Sequence, residues 1–122
     1  LIFDEIDAGI GGRVGSVVGQ KLWGLTVGDG GKARRHPVLC VTHLPQLAGY
    51  GDAHLEVSKG VVGDRPVTAV KSLGGEDREK ELAGMLGAPT ARTRASAREI
   101  LESSEEEKAR RLGEVERAWR DR

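Results

Sequence analysis

Aromatic residues make up only 3% of the 122-residue chain, which leaves aliphatic side chains to build any core. No charge sign is in excess. Nineteen Lys and Arg balance nineteen Asp and Glu, so composition offers no electrostatic argument for nucleic acid or membrane binding. A local basic face remains compatible with that balance. The single cysteine, Cys40, has no partner for an internal disulfide and points to a reducing compartment. No apolar run is long enough to cross a bilayer, and no signal-peptide pattern is visible. An initiator methionine is also missing, and Leu1 opens inside what reads as a core strand. A strand so central needs neighbours on both sides, so the expectation is the C-terminal piece of a longer protein. The length suits one modest domain. Glycine is abundant, with 18 residues, which fits a loop-rich nucleotide fold without proving one.

The first nine residues organise the rest. Leu1-Ile2-Phe3 run into Asp4-Glu5, and Asp7 and Gly9 follow. The apolar run reads as a buried parallel strand. Its carboxylates then fall at the C-terminal end, where open α/β sheets place their ligands. This is the Walker B pattern of P-loop nucleotide hydrolases, in which an aspartate serves Mg²⁺ and the next glutamate polarises the attacking water. The same letters also fit a strand that simply ends in a solvated turn, so the case depends on what lies downstream.

A helix is expected from about Arg13 to Leu25, burying Val14, Val17, Val18, Leu22 and Leu25 on one face. Gly15, Gly19 and Gly24 weaken it by propensity, so packing must hold it. Thr26 to His36 reads as a surface loop. Its Gly30-Gly31-Lys32 is not a phosphate loop, because Thr26 stands where a glycine is needed and Ala33 where Ser or Thr is needed. Pro37 to Thr42 suits a second parallel strand, so the pattern is a βαβ unit with a right-handed crossover. His43 would then share a sheet edge with Asp4 and Glu5. Residues 53–59 and 66–73 read as two further strands joined by a hairpin over 60–65. Glu76 to Leu86 reads as a short helix with Leu82, Met85 and Leu86 inward, ended by Gly87 before Pro89. The organisation expected is a head portion over 1–88 and a charged tail over 89–122. In the tail, Ser104 and Glu107 resemble a capping box that would start a marginal helix through Trp119, with disorder as the other option.

A histidine after a strand is usually structural, but one beside an Asp-Glu strand can donate a hydrogen bond to a γ-phosphate oxygen. Asp4-Glu5, Asp7 and His43 together resemble the C-terminal half of an ABC-type ATPase head. The stretches 1–10 and 41–48, the second reading Val-Thr-His-Leu-Pro-Gln-Leu-Ala, and to a lesser degree 53–59, resemble the RecN family of SMC-like ATPases. The likeness covers roughly residues 1–88. It implies an α/β fold, the C-terminal half of an ABC/SMC-type P-loop NTPase head, with a parallel βαβ core, a terminal hairpin and a helix. It implies Asp4 as the Mg²⁺ ligand, Glu5 as catalytic base, Asp7 acting on nucleotide across a homodimer with a second ATPase head, and His43 as the switch histidine. ATP and Mg²⁺ are the implied cofactors, and DNA, in double-strand break repair, the implied partner of the intact protein. A cytoplasmic, nucleoid-associated location without a membrane is implied as well. The Walker A loop, Q-loop, coiled coil and signature motif of that family are not in this sequence, so the segment by itself is not expected to hydrolyse ATP. Two other readings stay open: a DExD-box NTPase, which Asp4-Glu5-Ile6-Asp7 also fits, and a non-catalytic dimerisation module. Val41-Thr42-His43 stands where the helicases carry a Ser-Ala-Thr type motif, which favours the ABC head.

Overall fold

A computed structural model of the chain describes residues 1–4, 6, 8–28 and 35–121. It is a mixed α/β structure: β1 (Ile2–Asp4), α1 (Gly12–Val27), β2 (Leu39–Val41), α2 (Pro45–Ala48), β3 (His54–Val62), β4 (Arg65–Leu73), α3 (Gly75–Met85) and α4 (Ala91–Arg120). Among the described residues β1 and β2 form one small sheet and β3 and β4 another.

β1 and β2 are parallel and adjacent, with Ile2 opposite Leu39, Phe3 opposite Cys40 and Asp4 opposite Val41. Parallel neighbours need a long crossover, and α1 lies within it. The expected burial of these strands is not found: Ile2 is 76% exposed, and Leu39 and Val41 are exposed too. A two-stranded sheet lacks the flanking strands and covering layers that bury a parallel core.

The buried face of α1 also differs from the one that its apolar spacing suggests. Val14, Val17 and Leu25 are exposed, whereas Gly15, Gly19 and Trp23 are buried. The reason is close approach. A Cβ on Gly19 would stand 2.7 Å from the Tyr50 ring, and one on Gly15 would stand 3.1 Å from Leu44 Cδ1. Glycines that cost the helix propensity thus let α2 and the turn after it lie directly on α1. The helix runs two residues beyond the expected Leu25 and stops at Gly28, whose φ of 69° suits glycine alone. Gly30-Gly31-Lys32 lies outside the described residues.

β3 and β4 pair antiparallel through their full lengths. They take up most of the expected 60–65 loop, leaving Gly63 and Asp64 as the turn, with Gly63 at φ 63°. Leu82, Ala83 and Ala97 are fully buried and form a core cluster, with Ala48, Met85 and Leu101 packed against it. Leu82 is therefore inward as the spacing of α3 predicts, and Met85 joins it at the margin.

The largest correction is in the tail. Its helix begins at Ala91, not near Ser104, and continues to Arg120. Thr90 and Thr93 supply a capping box in which each side chain meets the other residue's backbone N–H. Ser104 is a buried mid-helix residue, donating from Oγ to the carbonyls of Leu101 at 2.9 Å and Gly49 at 2.8 Å. A serine in a helix interior needs such an outlet. Among the described residues no helix is long and apolar enough to cross a membrane.

Candidate functional site

The C-terminal edge of the β1–β2 sheet carries the residues that the sequence singles out. Asp4 ends β1 in register with Val41, and His43 comes two residues after Val41. Both side chains are exposed. Parallel strands of matched register end at the same level, so backbone geometry alone brings Asp4 and His43 to one edge. Glu5 and Asp7, the other two candidates, lie outside the described residues.

The chain turns sharply after β2. Thr42 Oγ1 accepts from the Leu44 N–H at 3.0 Å, a local side-chain turn that sends the backbone past His43 into α2. Pro45 opens α2, a position where its missing N–H costs nothing. Gln46 lies against the first turn of α1, where a Cβ on Gly12 would stand 2.8 Å from Gln46 Nε2. The segment that follows His43 is thus seated on the start of α1.

The far end of α2 is held from two other elements. Arg78 Nη2, from α3, donates to the carbonyls of Gly51 at 2.7 Å, Ala48 at 3.2 Å and Gly49 at 3.4 Å. Ala48 ends α2, Gly49 caps it and Gly51 follows in the turn, where its N–H donates to the Ala48 carbonyl at 3.1 Å; a cation is favoured at a helix C-terminus. Ser104, from α4, donates to the same Gly49 carbonyl. Burial lowers the Arg78 pKa from its ordinary value, while Glu105 and Asp52 pull the other way.

A second polar knot fixes α4 to α1. Lys108 is 5% exposed; its Nζ donates to Asp52 Oδ1 at 3.0 Å and lies 5.7 Å from the centre of the Trp23 ring. Trp23 Nε1 donates to the same Asp52 oxygen at 3.1 Å. Gln20 of α1 donates to Glu107 of α4 at 3.1 Å. None of Arg78, Lys108 or Asp52 stands out in the sequence. Only the serine buried in a charged helix leaves a faint signal, and it resembles a cap when read in one dimension.

At the base of the hairpin a titratable cluster meets α3. Burial first, then the nearby Arg78, lowers the His54 pKa, with Glu56 opposing. Burial raises the Glu81 pKa, helped by the charge of Glu56 and a hydrogen bond with it. His54 is thus far along the chain from the Asp4–His43 edge and engaged with other charges. His36 lies at the opposite end of β2, where its N–H donates to the Leu25 carbonyl at 2.9 Å. A cleft of about 490 Å³ opens between α1, α2 and α4, with Ser16, Gln46, Tyr50 and Ser103 in its lining but neither Asp4 nor His43.

Among the described residues no group of three His, Cys, Asp or Glu side chains is placed to hold a metal ion. Among the described residues of this edge, Asp4 offers one carboxylate, a hard oxygen donor of the kind that Mg²⁺ takes.

No family model matches the chain. It is 38% identical over 104 residues to the DNA repair protein RecN of Halalkalibacterium halodurans, covering 84% of this chain and 17% of that protein. It is 44% identical over 87 residues to the DNA repair protein RecN of Xylella fastidiosa, covering 71% of this chain and 14% of that protein. To the DNA repair protein RecN of Mycobacterium leprae it is 42% identical over 112 residues, 89% of this chain and 17% of that protein. The chain therefore spans about a sixth of the length of these relatives.

Proposed function

We propose a function from the premise that the chain belongs to the RecN family, whose C-terminal part it matches. It is the part of an SMC-like DNA repair ATPase that supplies the Walker B edge, the D-loop carboxylate and the switch histidine of an ABC-type head. The intact protein would bind and hydrolyse ATP with Mg²⁺, pair two heads as a homodimer, and act on DNA in double-strand break repair, in the bacterial cytoplasm at the nucleoid. The observation that carries this reading is the parallel register that sets Asp4 and His43 at one sheet edge, within a sequence 38–44% identical to proteins named for DNA repair.

The residues divide the work by their chemistry. Asp4 would hold Mg²⁺ through its carboxylate, directly or through water. Bound Mg²⁺ supplies charge neutralisation at the phosphates. Glu5 would orient the attacking water and accept its proton. His43 would donate a hydrogen bond to a γ-phosphate oxygen, an interaction that strengthens as charge develops. Asp7 would reach the nucleotide held by the partner head. Little covalent chemistry is asked of the protein, because phosphoryl transfer is mostly positioning and electrostatics.

The test is Glu5→Gln in the full-length protein. ATP binding should persist while turnover falls by about 10²–10⁴-fold, the usual weight of a general base. Unchanged steady-state hydrolysis would remove Glu5 from this role. The DExD-box reading gains nothing from the relatives, which are RecN proteins in each case described above. A non-catalytic module would show full-length protein that dimerises but does not turn over ATP, with or without DNA.

A further inference from the structure

We propose that Arg78 is a positioning residue for the His43 segment, anchoring α2 by its C-terminal carbonyls so that the turn at Thr42–Leu44 is held at the sheet edge. This rests on the ATPase reading of that edge. α2 is a single turn of helix, Pro45–Ala48, too short to hold its own place. Its N-terminal end is seated by the Thr42–Leu44 side-chain turn and by Gln46 against Gly12. Turn bonds from Gly49, Tyr50 and Gly51 close its C-terminal end locally, and contacts from other elements fix where that end lies. One Arg78 nitrogen supplies such contacts, reaching Ala48, Gly49 and Gly51 from α3.

Two details separate this contact from incidental packing. Arg78 Nε is buried and has no hydrogen-bond partner among the described residues. Nη2, by contrast, is turned to the carbonyls at and after the end of α2. Ser104 of α4 joins it at the Gly49 carbonyl, so two separate elements converge on one turn. Gly49 must also stay small, since a Cβ there would stand 2.6 Å from Ile100 Cγ2. Tilting α2 at this end would swing Leu44 and His43 at the other. Misplacement by about 1 Å far from the chemistry can cost about 10²-fold in rate.

The experiment uses the full-length protein and the variants Arg78→Ala, Arg78→Lys and Ser104→Ala, with Glu5→Gln as control. Three readouts are taken: ATP affinity by calorimetry, steady-state ATP hydrolysis, and hydrogen exchange of the peptide spanning 42–51. Arg78→Ala should lower kcat about tenfold or more with ATP affinity within about threefold, and should speed exchange over 42–51. Arg78→Lys should recover part of both, because an ammonium can still serve one or two of the carbonyls. Ser104→Ala should move both readouts the same way and less far, and it keeps the proposal testable if Arg78→Ala does not fold. Faster exchange with unchanged kcat would overturn the proposal, as would unchanged exchange in all three variants. So would equal losses of kcat and ATP affinity that Arg78→Lys does not relieve. If Glu5→Gln hydrolyses ATP at the wild-type rate, the assignment of the Asp4–His43 edge as the hydrolytic site falls instead, and exchange over 42–51 alone decides whether Arg78 anchors α2.

Discussion

Asp52 receives two donors on one oxygen, the Lys108 ammonium and the Trp23 indole, while most of its own carboxylate stays in water. Removing it would leave a buried ammonium with Glu105 at 3.6 Å and the Trp23 ring, and would take away the partner of the indole N–H. Asp52→Ala should therefore destabilise by about 1–3 kcal/mol, the cost of stranding buried donors. Lys108→Met removes the buried charge itself and should cost less, since apolar replacements of buried ions are often near neutral. Urea unfolding of both variants checks the order, and a larger loss for Lys108→Met would contradict it. Glu81 makes a pH prediction. Its carboxyl pKa is raised in the folded state by burial and by Glu56. The native state then holds that proton more tightly than the unfolded chain does. The stability it contributes is present below the ordinary value of 4.5 and is lost as pH rises through the raised value. Glu81→Gln should thus melt higher than wild type at pH 7, with the gap closing towards pH 4. Equal gaps at both pH values would rule out this source.

At the scale of elements, α1 shows two kinds of glycine. Gly19 is held under the Tyr50 ring, and an added Cβ would lie 2.7 Å from it, whereas Gly24 has nothing within 4 Å. Alanine is favoured over glycine in a helix by about 1 kcal/mol. Overpacking costs about 1–3 kcal/mol and should win at Gly19 only. Gly24→Ala should raise the melting temperature and Gly19→Ala lower it, as read by circular dichroism. Two changes of the same sign would mean that α2 and Tyr50 do not sit where α1 needs a glycine. The α4 helix behaves similarly as an element: Arg94 and Arg98 both pair with Glu79 of α3, at 3.1 and 3.0 Å. Together with Ser104 and Lys108, these contacts explain why a charged sequence with a thin apolar stripe still forms a continuous helix.

For the whole molecule, topology sets the three described histidines at separate places. His43 follows a strand whose parallel neighbour ends in Asp4, His36 stands at the opposite end of that strand, and His54 opens the hairpin beside α3. In the full-length protein, His43→Ala should lower kcat for ATP more than it weakens ATP binding, because a donor to developing charge acts mainly in the transition state. His36→Ala and His54→Ala should leave turnover nearly untouched. Equal losses in all three, or a loss only at His36 or His54, would defeat the switch assignment.

The sequence by itself determined what depends on local pattern. The strand–helix–strand order, the hairpin, the inward Leu82 and the placement of Asp4 and His43 towards one sheet edge follow from periodicity, turn residues and the rule that a helix joins parallel strands. Tertiary structure decided which face of α1 is buried, where α4 begins and what Ser104, Arg78 and Lys108 do. Apolar spacing cannot show that Gly15 and Gly19 form the packing face, because backbone approach leaves no hydrophobic signal. Ser104 followed by Glu107 reads as a helix start in one dimension. Only the nearby Gly49 carbonyl makes Ser104 an interior residue, and a partner 55 positions away leaves no trace in local sequence.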